Sequence, residues 1–116
     1  MQKEMKTYND GYLHIYRQNQ APSDFGAVLN TRTTNDMEYI IKLAYSERSK
    51  REEDIEWAES CDRTLSFKAV CPLADFVKTS YQVVCTGKLY SIINVDYDRK
   101  NREMYLYMEE VRDIAE

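Results

Sequence analysis

Glu52 and Glu56 stand four residues apart in an acid-rich stretch, Arg51-Glu52-Glu53-Asp54-Ile55-Glu56-Trp57-Ala58-Glu59. On a helix this spacing puts two carboxylates one turn apart on the same face, where they can hold a cation or exchange a proton. A calcium loop alternates its acids around a central glycine, and a zinc or catalytic site generally recruits histidine; neither companion is near in the chain. The acids are therefore read as a solvated helix face. The single histidine, His14, lies between tyrosines in Tyr12-Leu13-His14-Ile15-Tyr16, where it reads as a surface or rim residue of a strand, not as a general base. Cys71 precedes Pro72 without a neighbour that would activate a thiolate. The three glycines at 11, 26 and 87 are isolated, so there is no phosphate-cradling loop and no Gly-x-Ser-x-Gly elbow. The expectation is a protein that is not an enzyme, with no catalytic residue, cofactor or metal.

Composition points the same way. A chain of 116 residues buries roughly two thirds of its unfolded surface, enough for one domain with a real core. Ten tyrosines against three phenylalanines and one tryptophan suit sheet faces, with a minority left for a partner surface. The net charge of −4 carries no basic block, which argues against tight wrapping of nucleic acid. It still suits a channel through which DNA slides without being gripped. Cys61, Cys71 and Cys85 are odd in number and lack a Cys-x-x-Cys spacing, which excludes full pairing within one chain and predicts reduced, mostly buried thiols. Neither a signal peptide nor a membrane span is expected, so the protein should be soluble and made in the cytoplasm.

The elements that would carry these residues are mainly strands. Residues 1–10 read as a flexible arm and 113–116 as a polar tail, with a single domain over 11–112. Leu13 and Ile15 alternate with Tyr12, His14 and Tyr16 in a first strand ending near Gln18. Ala21-Pro22-Ser23-Asp24-Phe25-Gly26 breaks it, leaving Phe25 as either a plug into the core or an exposed tip, and residues 28–33 form a weak second strand. Met37, Tyr39, Ile41, Leu43 and Tyr45 share one face of a long strand. Ser49 and Glu52 suggest a capping box opening a helix near 50–60, with Ile55 and Ala58 inward. Trp57 either packs under that helix or projects as an interface anchor. Then Leu65, Phe67 and Ala69 face inward, Ser66 and Lys68 outward, and Pro72 stops the strand. Phe76 and Val77 are expected to close one end of the core. Three runs follow, Tyr81-Gln82-Val83-Val84-Cys85, Leu89-Tyr90-Ser91-Ile92-Ile93-Asn94-Val95 and Met104-Tyr105-Leu106-Tyr107-Met108, joined at Thr86-Gly87-Lys88 and Asp98-Arg99-Lys100-Asn101-Arg102. The fold class expected is mainly β, a small closed or partly open antiparallel β-barrel of about six strands with one short inserted helix.

Val83-Val84-Cys85-Thr86-Gly87-Lys88-Leu89-Tyr90-Ser91-Ile92 resembles the head-tail adaptor family of tailed bacteriophages, the head-completion, head-closure or stopper proteins. Their C-terminal half runs strand, Gly-Lys-x-Tyr-x-Ile, strand, charged turn and closing strand. The early strand at Tyr12, the loop Asp24-Phe25-Gly26 and the strand-then-polar-helix region 46–59 follow the same order. Where the family often has a Trp-Ala pair in the middle strand, this chain has Leu43-Ala44-Tyr45. The resemblance implies a virion structural protein, assembled in the host cytoplasm as a homo-oligomeric ring below the portal. The ring would extend or close the DNA channel, contact passing genomic DNA, and join a portal or portal-adaptor protein to a tail-completion or tail-terminator protein. Two excursions are long enough to reach a neighbour or the channel: residues 18–36, with Asp24, Phe25 and Gly26, and residues 46–62, with Glu52, Glu56 and Trp57. The alternative function is an oligonucleotide-binding β-barrel that stacks single-stranded nucleic acid on tyrosine faces.

Overall fold

The computed structural model describes residues 8–18 and 37–114. Its elements are β1 (Gly11–Gln18), β2 (Met37–Glu47), α1 (Glu52–Ser60), β3 (Phe67–Pro72), β4 (Gln82–Cys85), β5 (Lys88–Asp98) and β6 (Glu103–Asp113). The strands lie in the order β1-β2-β3-β6-β5-β4, all antiparallel, and β4 pairs back onto β1, with Ile15 opposite Val83. Closure gives each described strand a neighbour on both sides along part of its length, as expected for a small all-β chain that must avoid edge-to-edge association. The expected strand at residues 28–33, and Asp24, Phe25 and Gly26, lie outside the described residues.

Period-two alternation fills the interior. Leu13 and Ile15 of β1, Val83 of β4, and Met104, Leu106 and Met108 of β6 are fully buried in one cluster. Phe67 meets Tyr45 edge-on, with ring centroids 5.4 Å apart, and lies 5.3 Å from Tyr90 on its other side. Val77 is fully buried in this core, but Phe76, expected to close the core with it, is 47% exposed. The loop turns at Asp75, whose carboxylate is held by Arg99, so successive side chains diverge there.

The strand at Met37 departs from simple alternation. Ile15 is opposite Ile41 and Tyr16 is opposite Tyr39, so Ile40 is an extra residue on β2. This bulge reverses the facing of the residues before it. Tyr39 consequently sits outside the barrel, half exposed, beside Tyr16.

The β4–β5 turn has the two-residue form. Thr86 and Gly87 both take positive φ, 49° and 75°, and Cys85 pairs directly with Lys88. Such a turn matches the right-handed twist of the strands it joins. At the β5–β6 turn, Arg102 takes φ 55° and the Asp98 carboxylate accepts from the Asn101 backbone N–H at 3.2 Å and side-chain amide at 2.8 Å.

The shortest ladder is β2 with β3, where only Ser46 with Val70 and Glu47 with Ala69 pair. Residues 8–10 reinforce this part of the wall. The Asp10 carboxylate accepts from the Glu47 N–H at 2.7 Å, and the Tyr8 hydroxyl donates to Glu103 at 2.8 Å. At the other terminus β6 includes Asp113, and Ile114 is buried with Met37, Val84 and Leu89, so these two residues belong to the barrel and not to a polar tail.

Candidate docking surface

The helix α1 is anchored by a residue from its own first turn. Glu52, Glu53 and Asp54 put three acids at the helix N-terminus, where the backbone dipole favours negative charge. The cap is Arg51 rather than Ser49, because Asp54 reaches back to accept from the Arg51 N–H at 3.1 Å. Asp54 also accepts from the Arg51 guanidinium at 3.2 Å and from Lys68 Nζ at 2.9 Å. Lys68 is on the outer wall of the barrel, as alternation predicts, but α1 covers it and leaves it 6% exposed. Its ammonium also lies 5.2 Å from the Tyr107 ring centre and 5.8 Å from that of Tyr105. Burial alone would raise the Asp54 carboxyl, but hydrogen bonds from Arg51 and Lys68 outweigh it and hold the group at about 2. Ala58 and Ile55 complete the underside of the helix against Leu65, Tyr107 and Ile93.

The opposite side of α1 is open. Glu52 and Glu56 border a polar depression together with Arg51 and Glu53, and Arg51 is engaged by Glu53 at 3.1 Å. Trp57, 44% exposed, resolves the choice left by the sequence: it does not pack under the helix. It borders a groove of about 240 Å³ with Asp54, Asn94 and Tyr107. The structure thus brings Glu52, Glu56 and Trp57 onto one helix, with the two glutamates on the depression and the tryptophan on the groove. A large ring held half out of water at a groove mouth is suited to anchoring a partner.

Two surfaces were missed by the sequence reading of contact residues. Tyr12 and Tyr39 are about half exposed on the outer face of β1 and β2, where Lys42 Nζ lies 4.6 Å from the Tyr12 ring centre and His14 lies 6.2 Å from Tyr39. The outward phase of β1 signalled Tyr12, whereas no sequence feature marked the bulge that exposes Tyr39. Phe76 is the other, in a loop tied to the β5–β6 turn by a Leu73 N–H bond to the Arg102 carbonyl at 3.0 Å.

Among the described residues, no group of three or more His, Cys, Asp or Glu side chains is placed to hold a metal ion, and no helix is long and apolar enough to cross a membrane. Cys71 and Cys85 are buried and Cys61 is exposed, all three as free thiols. The Cys71 thiol is pushed up to about 12 by burial and by the nearby Glu103 carboxylate, the opposite of nucleophile activation. What the arrangement offers chemically is contact area: an anchored acidic helix with an aromatic anchor, and further exposed rings on a rigid barrel. No protein-family model matches the chain, and no curated protein matches it at a significant level.

Proposed function

We propose that the chain is a virion structural protein of a tailed-phage connector, forming a ring under the portal that extends or closes the DNA channel and offers the tail its docking surface. The observation that carries this reading is the closed six-stranded barrel with its helix between β2 and β3, the architecture and element order implied by the head-tail adaptor resemblance. The exposed Trp57 beside an acidic helix face supports a role in assembly, since a large, half-exposed ring at a groove is an anchor that a partner can cover. Charge fits as well: a net −4 subunit makes a conduit that releases DNA instead of retaining it by phosphate contacts. The test is addition of the purified protein to DNA-filled capsids that carry a portal. Occupancy of the portal vertex and retention of the genome are expected.

A second reading, an oligonucleotide-binding barrel, is favoured by the β1–β2 face, where Tyr12, Tyr39 and Lys42 combine exposed rings with a cation. Binding of single-stranded oligonucleotide that weakens steeply with salt would support it, and no measurable binding at low salt would dismiss it.

A further inference from the structure

We propose that the chain associates with a second copy of itself head to tail, the α1 face around Trp57 of one molecule seating against the tip formed by Phe76 and the β5–β6 turn of the next. The inference deepens the connector reading, on which it rests for the expectation that the contact repeats around a ring.

Each patch pairs an exposed aromatic residue with charges that, outside its own ion pairs, are of one sign. Trp57 shares α1 with exposed Glu52 and Glu56. Phe76, 47% exposed, is held beside the β5–β6 turn by the Leu73 to Arg102 backbone bond and by the Asp75–Arg99 pair at 3.3 Å, and that turn carries exposed Lys100 and Arg102. None of Glu52, Glu56, Lys100 and Arg102 takes part in an ion pair among the described residues, so all four charges are available to a partner.

The two patches are complementary but cannot meet within one molecule. Asn94, at the groove beside Trp57, precedes the end of β5 at Asp98 by four positions, about 13 Å along an extended strand, and the turn that carries Lys100 lies beyond it. A contact between two copies of the α1 face would oppose Glu52 and Glu56 with themselves, and like charges across an interface suppress such a pairing. Joining the α1 face to the turn tip removes that repulsion. Because the two faces differ, the contact is heterologous, and repetition closes into a ring when the rotation per subunit permits.

Charge reversal tests the pairing, read both by sedimentation over a concentration series and by occupancy of portal vertices. Wild type is expected to associate with concentration. The variant Glu52→Lys with Glu56→Lys, and separately Lys100→Glu with Arg102→Glu, should each weaken association about ten-fold or more. The chain bearing all four reversals should regain it, and circular dichroism should show all of them folded. A wild type that stays monomeric at the highest soluble concentration, or reversals without effect or without rescue, would overturn the proposal. Vertex rings unaffected by the reversals would overturn this interface and leave the connector reading standing. Rescue in solution without vertex binding would support the interface and remove the connector reading.

Discussion

Lys68 Nζ lies 2.9 Å from Asp54 Oδ2, and this contact fastens α1 to the outside of the barrel. Both groups are less than a tenth exposed, so the pair is a shielded one whose partners depend on each other. Asp54→Ala should cost about 3–5 kcal/mol, because it leaves a covered ammonium without its counter-charge. Replacing both residues, Asp54→Leu with Lys68→Met, should come within about 2 kcal/mol of wild type. Urea unfolding followed through Trp57, the single tryptophan, measures both; equal losses in the single and double variants would contradict the account.

The same carboxylate predicts acid sensitivity. Asp54 is held at about 2, below its ordinary 3.8, so the folded state favours the ionised form. Its contribution is complete above about pH 4 and is lost as the pH falls towards 2, amounting to about 2 kcal/mol. Asp54→Asn should flatten that part of the stability profile. An unchanged slope between pH 4 and 2 would place the acid sensitivity in other carboxylates.

Thiol chemistry should separate the three cysteines. Cys61 is exposed at the end of α1, while Cys71 and Cys85 are buried, and the Cys71 thiol stands at about 12. At pH 8 an aromatic disulfide reagent should modify one thiol per native chain rapidly and the other two only on unfolding. Cys61→Ser should abolish the fast phase. Rapid reaction of two or three thiols would mean that the barrel opens readily.

Gly87 is a backbone requirement. With φ at 75°, Gly87→Val should cost about 1–2 kcal/mol, although no atom would crowd the new side chain. A thermal melt measures the loss, and tolerance of valine without change would contradict the turn geometry.

Much of the barrel was legible because its strands repeat one simple pattern. Leu13 and Ile15 share the buried face that their alternation assigns them, the runs around Val83 and Met104 to Met108 are strands as read, and Thr86-Gly87 marks its turn by composition. Failures came where a tertiary contact overruled local pattern. Lys68 was correctly phased outward, yet outward meant underneath α1, and nothing in a single strand reports what will cover it. Tyr39 was misassigned because a one-residue bulge inverts facing without altering residue type. Ser49 had the better cap chemistry by sequence, but Asp54 was already committed to Lys68, which fixed Arg51 as the cap. Of the candidate contact residues, Trp57 was the one whose two readings, covered by the helix or projecting from it, the structure separates.

The most direct measurement is electron microscopy of DNA-filled, portal-bearing capsids after incubation with wild-type protein and with Trp57→Ala. The account predicts a ring of density at the portal vertex with wild type. Trp57→Ala should lose that ring while keeping a melting temperature within a few degrees, since its side chain is 44% exposed. Bare portal vertices with folded wild-type protein, together with unchanged leakage of the genome, would contradict it.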